Sequence, residues 1–176
     1  MLKPRNEVLI AMILAAAMSR LLPHPYNFTP LGALALFGGA QFADRRLAFL
    51  VPLTALFLSD LCIGLYGHME WVYLNFGLTA CLGLWLRQHR SAWRIAAASL
   101  AASVLFFLVT DLGVWLDGSL YAKDFAGLLA CYAAAIPFFP DSLLGDGFYT
   151  LVLFGGLGLL ESRFAALREQ PAAIPA

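Results

Sequence analysis

Runs of apolar residues follow one another along almost the whole chain, separated by short polar or proline-rich connections. They predict six helices, over residues 6–22, 31–43, 47–66, 71–87, 92–116 and 147–162. Pro23 and Pro25 close the first of these helices, and polar turns at 44–46 and 88–91 separate later ones. The pattern is typical of an all-α protein.

The region between the fifth and the last predicted helix is less regular. Residues 117–146 contain an apolar piece over 125–139, which is too short to cross a membrane and ends at Pro137 and Pro140. We therefore predict a long outer loop over 117–146 with an interfacial or re-entrant helix, which could act as a lid.

The composition predicts that these helices lie in a membrane. The chain has 176 residues, of which 61% are hydrophobic and 12% charged, with a mean hydropathy of +0.79. Soluble domains carry about 25% charged residues. We predict one membrane domain over 1–165 that crosses six times, followed by a polar tail over 166–176. The net charge of zero gives no electrostatic case for nucleic acid.

Lysine and arginine collect in cytoplasmic loops. With six crossings and the amino terminus inside, all basic residues except Arg20 and Lys123 fall on the inner side. Both termini, with the tail, are then cytoplasmic. The first apolar run could also be interpreted as a signal peptide, but the chain stays apolar after it, which favours an uncleaved helix.

On this topology, polar and aromatic side chains collect at the outer side. Asp60 and Asp111 are carboxylates within predicted spans, where ionisable groups usually face partners or water-filled cavities. Two interpretations stay open, an outward-facing polar cavity or a structural ion pair between Arg20 and one carboxylate. The other candidate binding residues of the outer side are His24, Tyr26, Asn27, His68, Trp71 and Trp115.

Cys81 lies midway along the fourth predicted helix. Helical spacing places it on one face with Gly77, which leaves space one turn above the thiol. The thiol can be a buried apolar filler, as free cysteines often are, or a soft metal ligand at the floor of a slot. An odd number of cysteines, three, and the lack of a CxxC pair argue against a disulfide framework and against a zinc site.

Ala11 and Ala15 form a small-xxx-small pair on the first predicted helix. Such pairs serve either internal packing or docking to another membrane helix. No hydrolase motif and no Walker A sequence is present, so an ATP-driven step would need another protein.

Five segments carry a resemblance to a known family and together cover nearly the whole chain: 20–42, 45–61, 106–121, 127–139 and 143–156. They resemble a family of small bacterial membrane proteins that is similar to the substrate-binding S components of energy-coupling-factor (ECF) vitamin transporters. The resemblance implies an inner-membrane protein with six helices that binds a substrate from the outer side. It also implies that Ala11 and Ala15 dock an ECF transmembrane/ATPase module, unless the protein works alone.

Within this neighbourhood, the BtuM group of solitary cobalamin S components carries a cysteine in a span near the middle of the chain. The resemblance implies that the Cys81 sulfur ligates the cobalt of cobalamin (vitamin B12) and could displace an upper ligand such as cyanide. Tyr26, Phe28, Trp71 and Trp115 would then suit the faces of the corrin. The alternatives are a binder of another small molecule with a structural Cys81, and a structural or assembly protein without a ligand.

Overall fold

The computed structural model describes residues 3–169, and within this range it contains helices but no strands. Short 3₁₀ turns occur at Ser19–Leu21, Ile136–Phe138 and Ala165–Leu167, and a π-helical segment at Leu151–Gly155. The α-helices are α1 (Pro4–Met18), α2 (Leu31–Gln41), α3 (Arg45–Ile63), α4 (Met69–Gln88), α5 (Ala92–Asp117), α6 (Phe125–Ala135), α7 (Phe139–Thr150) and α8 (Gly156–Arg163).

The short helix α2 is the centre of the bundle. Every residue of α2 is buried, and α1, α3, α4, α5 and α7 all pack against it. Two of its glycines lie very close to neighbouring helices. A Cβ on Gly38 would lie 2.2 Å from Pro52 of α3, and one on Gly39 would lie 2.3 Å from the Ala80 carbonyl oxygen of α4. Small residues therefore let the central helix touch its neighbours backbone to backbone.

The connections divide the bundle into two ends. The distal end carries the segments over 22–30, 64–68 and 118–124. The terminal end carries the segments over 42–44, 89–91 and 164–169, together with the start of α1. Since Arg5 of α1 contacts Glu161 of α8 at 2.5 Å, the first and the last described helix meet at the same end.

The predicted long loop over 117–146 is wrong. Only residues 118–124 lack helix, and Phe125–Arg163 forms one helical run that packs antiparallel to α5. Pro137 and Pro140 do not break this run because each lies in the first turn of a new helical piece, where a missing N–H has no intrahelical partner to lose. A lid made of this region would therefore have to be helical.

Among residues 3–169, three helical segments are long and apolar enough to cross a membrane, Arg45–Ile63, Ala92–Asp117 and Phe125–Arg163. This result agrees with the prediction of an all-α membrane protein. The count of six crossings stays a prediction, and α2, with 11 residues, rises only about 16 Å.

An ion-pair network holds the terminal end together. The Gln41 side-chain oxygen accepts hydrogen bonds from Arg5 and from Arg90, each at 2.8 Å. Glu169 pairs with Arg87 at 2.6 Å and also with Arg90. Residues 166–169 of the predicted tail thus lie against the bundle, while 170–176 lie outside the described residues.

Candidate solute-binding site

A polar pocket opens at the distal end between the loop over 22–30, α5 and the α6–α7 run. Its volume is about 70 Å³. Three side chains supply neutral polar groups, one supplies a carboxylate, and four of the nine lining residues are phenylalanines. The lining residues are Asn27, Phe106, Phe107, Thr110, Asp111, Ala135, Phe138, Phe139 and Ser142.

The pocket includes two of the residues predicted to bind substrate. Asn27 and Asp111 lie 84 positions apart in the chain and line the same cavity. Asn27 has a φ of 60°, a left-handed conformation that asparagine tolerates better than most residues. The Thr29 N–H donates to the Asn27 carbonyl at 2.9 Å, so the loop turns sharply at this point.

Gly145 of α7 allows the loop to lie this close to the helix. A Cβ at this position would lie 2.8 Å from the Thr29 nitrogen and 3.1 Å from Phe28. Phe28 packs with Phe148 and Tyr149, at centroid distances of 5.8 and 6.0 Å. Phe28, a predicted binding residue, therefore anchors the loop on α7 and does not line the pocket. Its neighbour in the chain, Asn27, does.

The side chain of Asp111 has no hydrogen-bond or ion-pair partner among residues 3–169. Its backbone carbonyl accepts a weak hydrogen bond from the Cys131 thiol at 3.5 Å, which ties α6 to α5. An ionisable group within a span that faces a cavity is a candidate functional residue. Asp111 fits that description.

Asp60 has the opposite environment. It is fully buried, its Oδ1 lies 2.7 Å from Arg20 Nη1, and its Oδ2 accepts a hydrogen bond from Tyr73 at 2.8 Å. Arg20 also donates to Ser59 at 2.5 Å. The structural ion pair, one of the two interpretations left open by the sequence, is therefore what the structure shows for Asp60.

A second carboxylate, Asp146, lies beneath the pocket and was missed by the sequence reasoning. It is 4% exposed and accepts hydrogen bonds from the Ala33 N–H at 3.2 Å and from Ser103 at 2.8 Å. It thus caps the amino end of the buried helix α2, where the backbone N–H groups lack helical partners. A Cβ on Gly32 would lie 2.5 Å from this carboxylate.

His68, Trp71 and Trp115 lie outside the pocket. His68 joins Glu70 and Asp117 in a group whose ligating atoms lie within 4.8 Å of one another. Trp71 covers Gly113 and donates to Asp117. These residues connect α4 to α5. The group has the donors of a metal site, but exposed acidic residues often lie together without an ion, so it does not by itself define one.

Trp115 lies in the last turn of α5 and contacts the connection that follows it. Its indole N–H donates to the Ala122 carbonyl at 2.8 Å, and the Lys123 ammonium lies 5.7 Å from the ring centre. Lys123 also donates to the carbonyls of Leu116 at 2.9 Å and Gly118 at 2.6 Å. It caps the carboxyl end of α5, where such carbonyls lack helical partners.

The structure does not place Cys81 at the floor of a cavity. Cys81 is exposed on the outside of α4, and a Cβ on Gly77 would meet no atom within 4 Å. Gly77 and Cys81 do lie on one face of α4, as predicted. That face points away from the bundle, because α4 buries its opposite face against α2. Asn75 and Thr79 are the polar residues on that buried face. Cobalt ligation by Cys81 stays a prediction.

The remaining predicted residues are exposed. His24 lies on the surface of the distal loop, and Tyr26 is 80% exposed with Phe138 at a centroid distance of 6.3 Å. Ala11 and Ala15 lie on an exposed face of α1. That position leaves them free for the predicted docking of a membrane partner, which stays a prediction.

A larger concavity runs along the outside of the bundle between α5 and the α7–π segment, with a volume of about 530 Å³. Its lining is alanine, leucine, isoleucine, glycine and phenylalanine, with Ser99 and Thr150 as its polar members. Thr150 donates to the Ser99 hydroxyl at 3.1 Å. This groove has no charged lining residue, and its polar pair is satisfied internally.

Several pocket residues escaped the sequence reasoning. Phe106, Thr110 and Ser142 line the pocket but carry no motif that distinguishes them from other residues of apolar helices. Asp146 did carry a signal, since it is a carboxylate in a helix-forming apolar region. The flanking Gly145 and Gly147 favoured a loop boundary instead.

The chain belongs to the family of unknown function DUF6580, whose model matches residues 1–169. No curated protein matches the chain, and no solved structure does. The family description names no ligand.

Proposed function

We propose that this chain is a multi-pass protein of the bacterial inner membrane that captures a small solute from the outer side. The distal pocket is the capture site. The observation that carries the proposal is the unpaired carboxylate of Asp111 in a cavity that also contains Asn27 and Ser142. The abundance of basic residues at the opposite, terminal end supports a cytoplasmic location for the termini.

The size of the pocket favours a small solute. A cavity must offer about 10–15 Å³ to hold one water molecule. The distal pocket, with about 70 Å³, therefore has room for roughly five to seven waters. A corrin is far larger. Cobalamin could enter only if the loop over 22–30 moved away from α6 and α7.

Blocking the pocket tests the capture of a solute. Ser142→Phe places a large side chain in the cavity, and Ala134→Phe places one on the exposed side of α6 as a matched control. We expect a panel of small solutes to contain at least one that raises the thermal stability of the wild type and of Ala134→Phe but not of Ser142→Phe. A panel in which no solute separates Ser142→Phe from its control contradicts the proposal.

Cobalamin is a second candidate ligand, favoured by the resemblance to cobalamin S components and by the exposed position of the Cys81 thiol. A thiolate is a strong, soft donor for cobalt and would displace the upper ligand, releasing cyanide from cyanocobalamin. In this structure the corrin would meet Cys81 on the face of α4 that points away from the bundle, and so outside the distal pocket. An ECF module could supply the energy for uptake in either case.

Visible absorption separates the two candidates. Cobalamin binding through Cys81 predicts a change in the spectrum of cyanocobalamin on mixing with the wild type and with Cys62→Ala, and none with Cys81→Ala. Cys62 is the matched control because it is also an exposed free thiol. An unchanged wild-type spectrum, or the same change in Cys81→Ala, excludes the ligation.

A further inference from the structure

We infer that the solute bound in the distal pocket is a small organic cation of the alkylammonium class. The inference rests on the proposed function and names the chemistry of its ligand. Three observations support it: the charge of the pocket, the direction of its hydrogen-bonding groups and its aromatic wall.

The pocket has a negative charge without a compensating positive one. Asp111 is the one charged residue among those that line it. The two basic residues of the distal end are engaged elsewhere, Arg20 with Asp60 at 2.7 Å and Lys123 with the carbonyls at the end of α5. An anionic solute would be repelled by Asp111, whereas a cation would supply the missing partner.

Two of the three neutral polar side chains, Thr110 and Ser142, also present acceptors to the cavity. The Thr110 hydroxyl donates its hydrogen to the Phe106 carbonyl at 2.7 Å, and Ser142 directs its hydroxyl toward the Phe138 carbonyl at 3.5 Å. Each hydroxyl oxygen therefore keeps lone pairs for a ligand. Together with the Asp111 carboxylate, these acceptors suit a cationic solute that can also donate a hydrogen bond, for example from a hydroxyl group.

The wall contains four phenylalanines, Phe106, Phe107, Phe138 and Phe139. Phe107 and Phe139 pack with centroids 5.3 Å apart at 60°, so neighbouring rings hold each other in place. Aromatic faces attract organic cations and exclude the water shell that an inorganic ion would retain. A carboxylate beside aromatic rings therefore favours an alkylated ammonium over a metal ion.

Choline and its neutral isostere 3,3-dimethylbutan-1-ol test the inference, because they share shape and hydroxyl group and differ in charge. Calorimetric titration of the full chain in detergent is expected to give at least about tenfold tighter binding for choline, a difference worth about 1.4 kcal/mol. Sodium and potassium chloride serve as inorganic cation controls and should not compete.

Four variants locate the effect. Asp111→Asn should weaken choline binding about tenfold or more, whereas Asp111→Glu, which keeps the charge, should retain most of it. Asp141→Asn is the matched control, since Asp141 directly precedes the lining residue Ser142 in the chain and does not itself line the pocket. Phe107→Leu should weaken choline binding by roughly two- to fivefold and leave the neutral isostere unaffected. Each variant must elute as a single species at the same volume as the wild type.

Equal affinity for choline and its neutral isostere overturns the inference, as does an Asp111→Asn variant that binds choline like the wild type. The proposed function survives either result if another solute still distinguishes Ser142→Phe from Ala134→Phe. If no solute does, the proposed capture site fails together with the inference.

Discussion

Asp60 and Asp111 are both single carboxylates in apolar helices, yet their surroundings differ in almost every respect. Asp60 is fully buried and touches Arg20 and Tyr73. Asp111 is partly exposed and has no side-chain partner among residues 3–169. The first carboxylate joins three helical segments, whereas the second faces a cavity.

The difference shows how structural and functional carboxylates can be told apart in a membrane-type bundle, by whether the protein supplies a partner for the charge. Desolvating an ion costs several kcal/mol, so a buried charge persists only with a partner or with access to water. Asp60, Asp146 and Glu169 have protein partners. Asp111 lines a cavity without such a partner, and a bound cation would place it in the same class as these three. Four predictions test this separation.

The largest effect is expected for the Arg20–Asp60 pair. Arg20→Met leaves a buried carboxylate without its cation and should lower the free energy of unfolding by roughly 3–5 kcal/mol. Thermal or denaturant unfolding in detergent measures the loss. The double variant Arg20→Met/Asp60→Leu removes both charges and should recover most of it. If Arg20→Met lowered the free energy of unfolding by less than about 1 kcal/mol, Asp60 would need a protein partner no more than Asp111 does.

A smaller effect is expected at Asp146. Ser103→Ala removes the hydroxyl that donates to this carboxylate at 2.8 Å. Hydrogen bonds to charged groups contribute about 1.5–3 kcal/mol, and the remaining Ala33 N–H cannot replace the lost donor. Ser162→Ala is the control because its exposed hydroxyl contacts only its own helix at Leu159. Equal unfolding curves for the two variants would contradict the role given to Asp146.

Glu169 should contribute still less, and only above acidic pH. Burial by itself raises the pKa of Glu169, but the hydrogen bond from Arg90 and the charges of Arg90, Arg87 and Arg5 hold it below its ordinary value. A folded-state pKa below the unfolded value gives stability above the unfolded pKa, about 4.3 for glutamate, which is lost as the pH falls through the folded pKa.

Glu169→Gln should therefore cost up to about 1 kcal/mol at neutral pH, because the pair is partly exposed. The cost should vanish at a pH below the folded pKa. Glu7→Gln, on an exposed part of α1, serves as the control. The measurement is the unfolding temperature of both variants and of the wild type over the acidic pH range. A destabilisation by Glu169→Gln that grows as the pH falls would contradict the prediction.

The smallest effect on stability is expected at Asp111. Asp111→Asn removes no protein contact, so the free energy of unfolding should stay within about 0.5 kcal/mol of the wild type. Binding of choline, measured on the same sample, should fall. A loss as large as that of Arg20→Met would show that Asp111 is structural and would remove the contrast with Asp60.

Much of the helical pattern could be predicted from the sequence. The predicted helices over 31–43, 71–87 and 92–116 agree with α2, α4 and α5 to within two residues at each end. The apolar runs and the proline and charged ends specify these elements locally. The region over 125–146 failed because Pro137, Pro140 and the glycines around Asp146 favour a break, while packing against α5 keeps the run helical.

The site was predicted only in part. Asn27 and Asp111 were recognised as residues of the outer side, but nothing in their spacing says that they share a cavity. Cys81 shows a related limit of the sequence, which concerns the orientation of a helix face. Helical periodicity correctly groups Cys81 with Gly77, yet it cannot say whether that face points inward, because in an apolar chain both faces of a helix can be hydrophobic.

The sequence by itself determined that the chain is helical, apolar and provided with a few intrahelical charges, since these properties depend on residues close together in the chain. Only the tertiary structure decided which charges are paired. Asp60 and Asp111 look equivalent until Arg20 is placed against one of them. A charge inside an apolar bundle is stable only relative to its neighbours in space, and those neighbours come from distant helices.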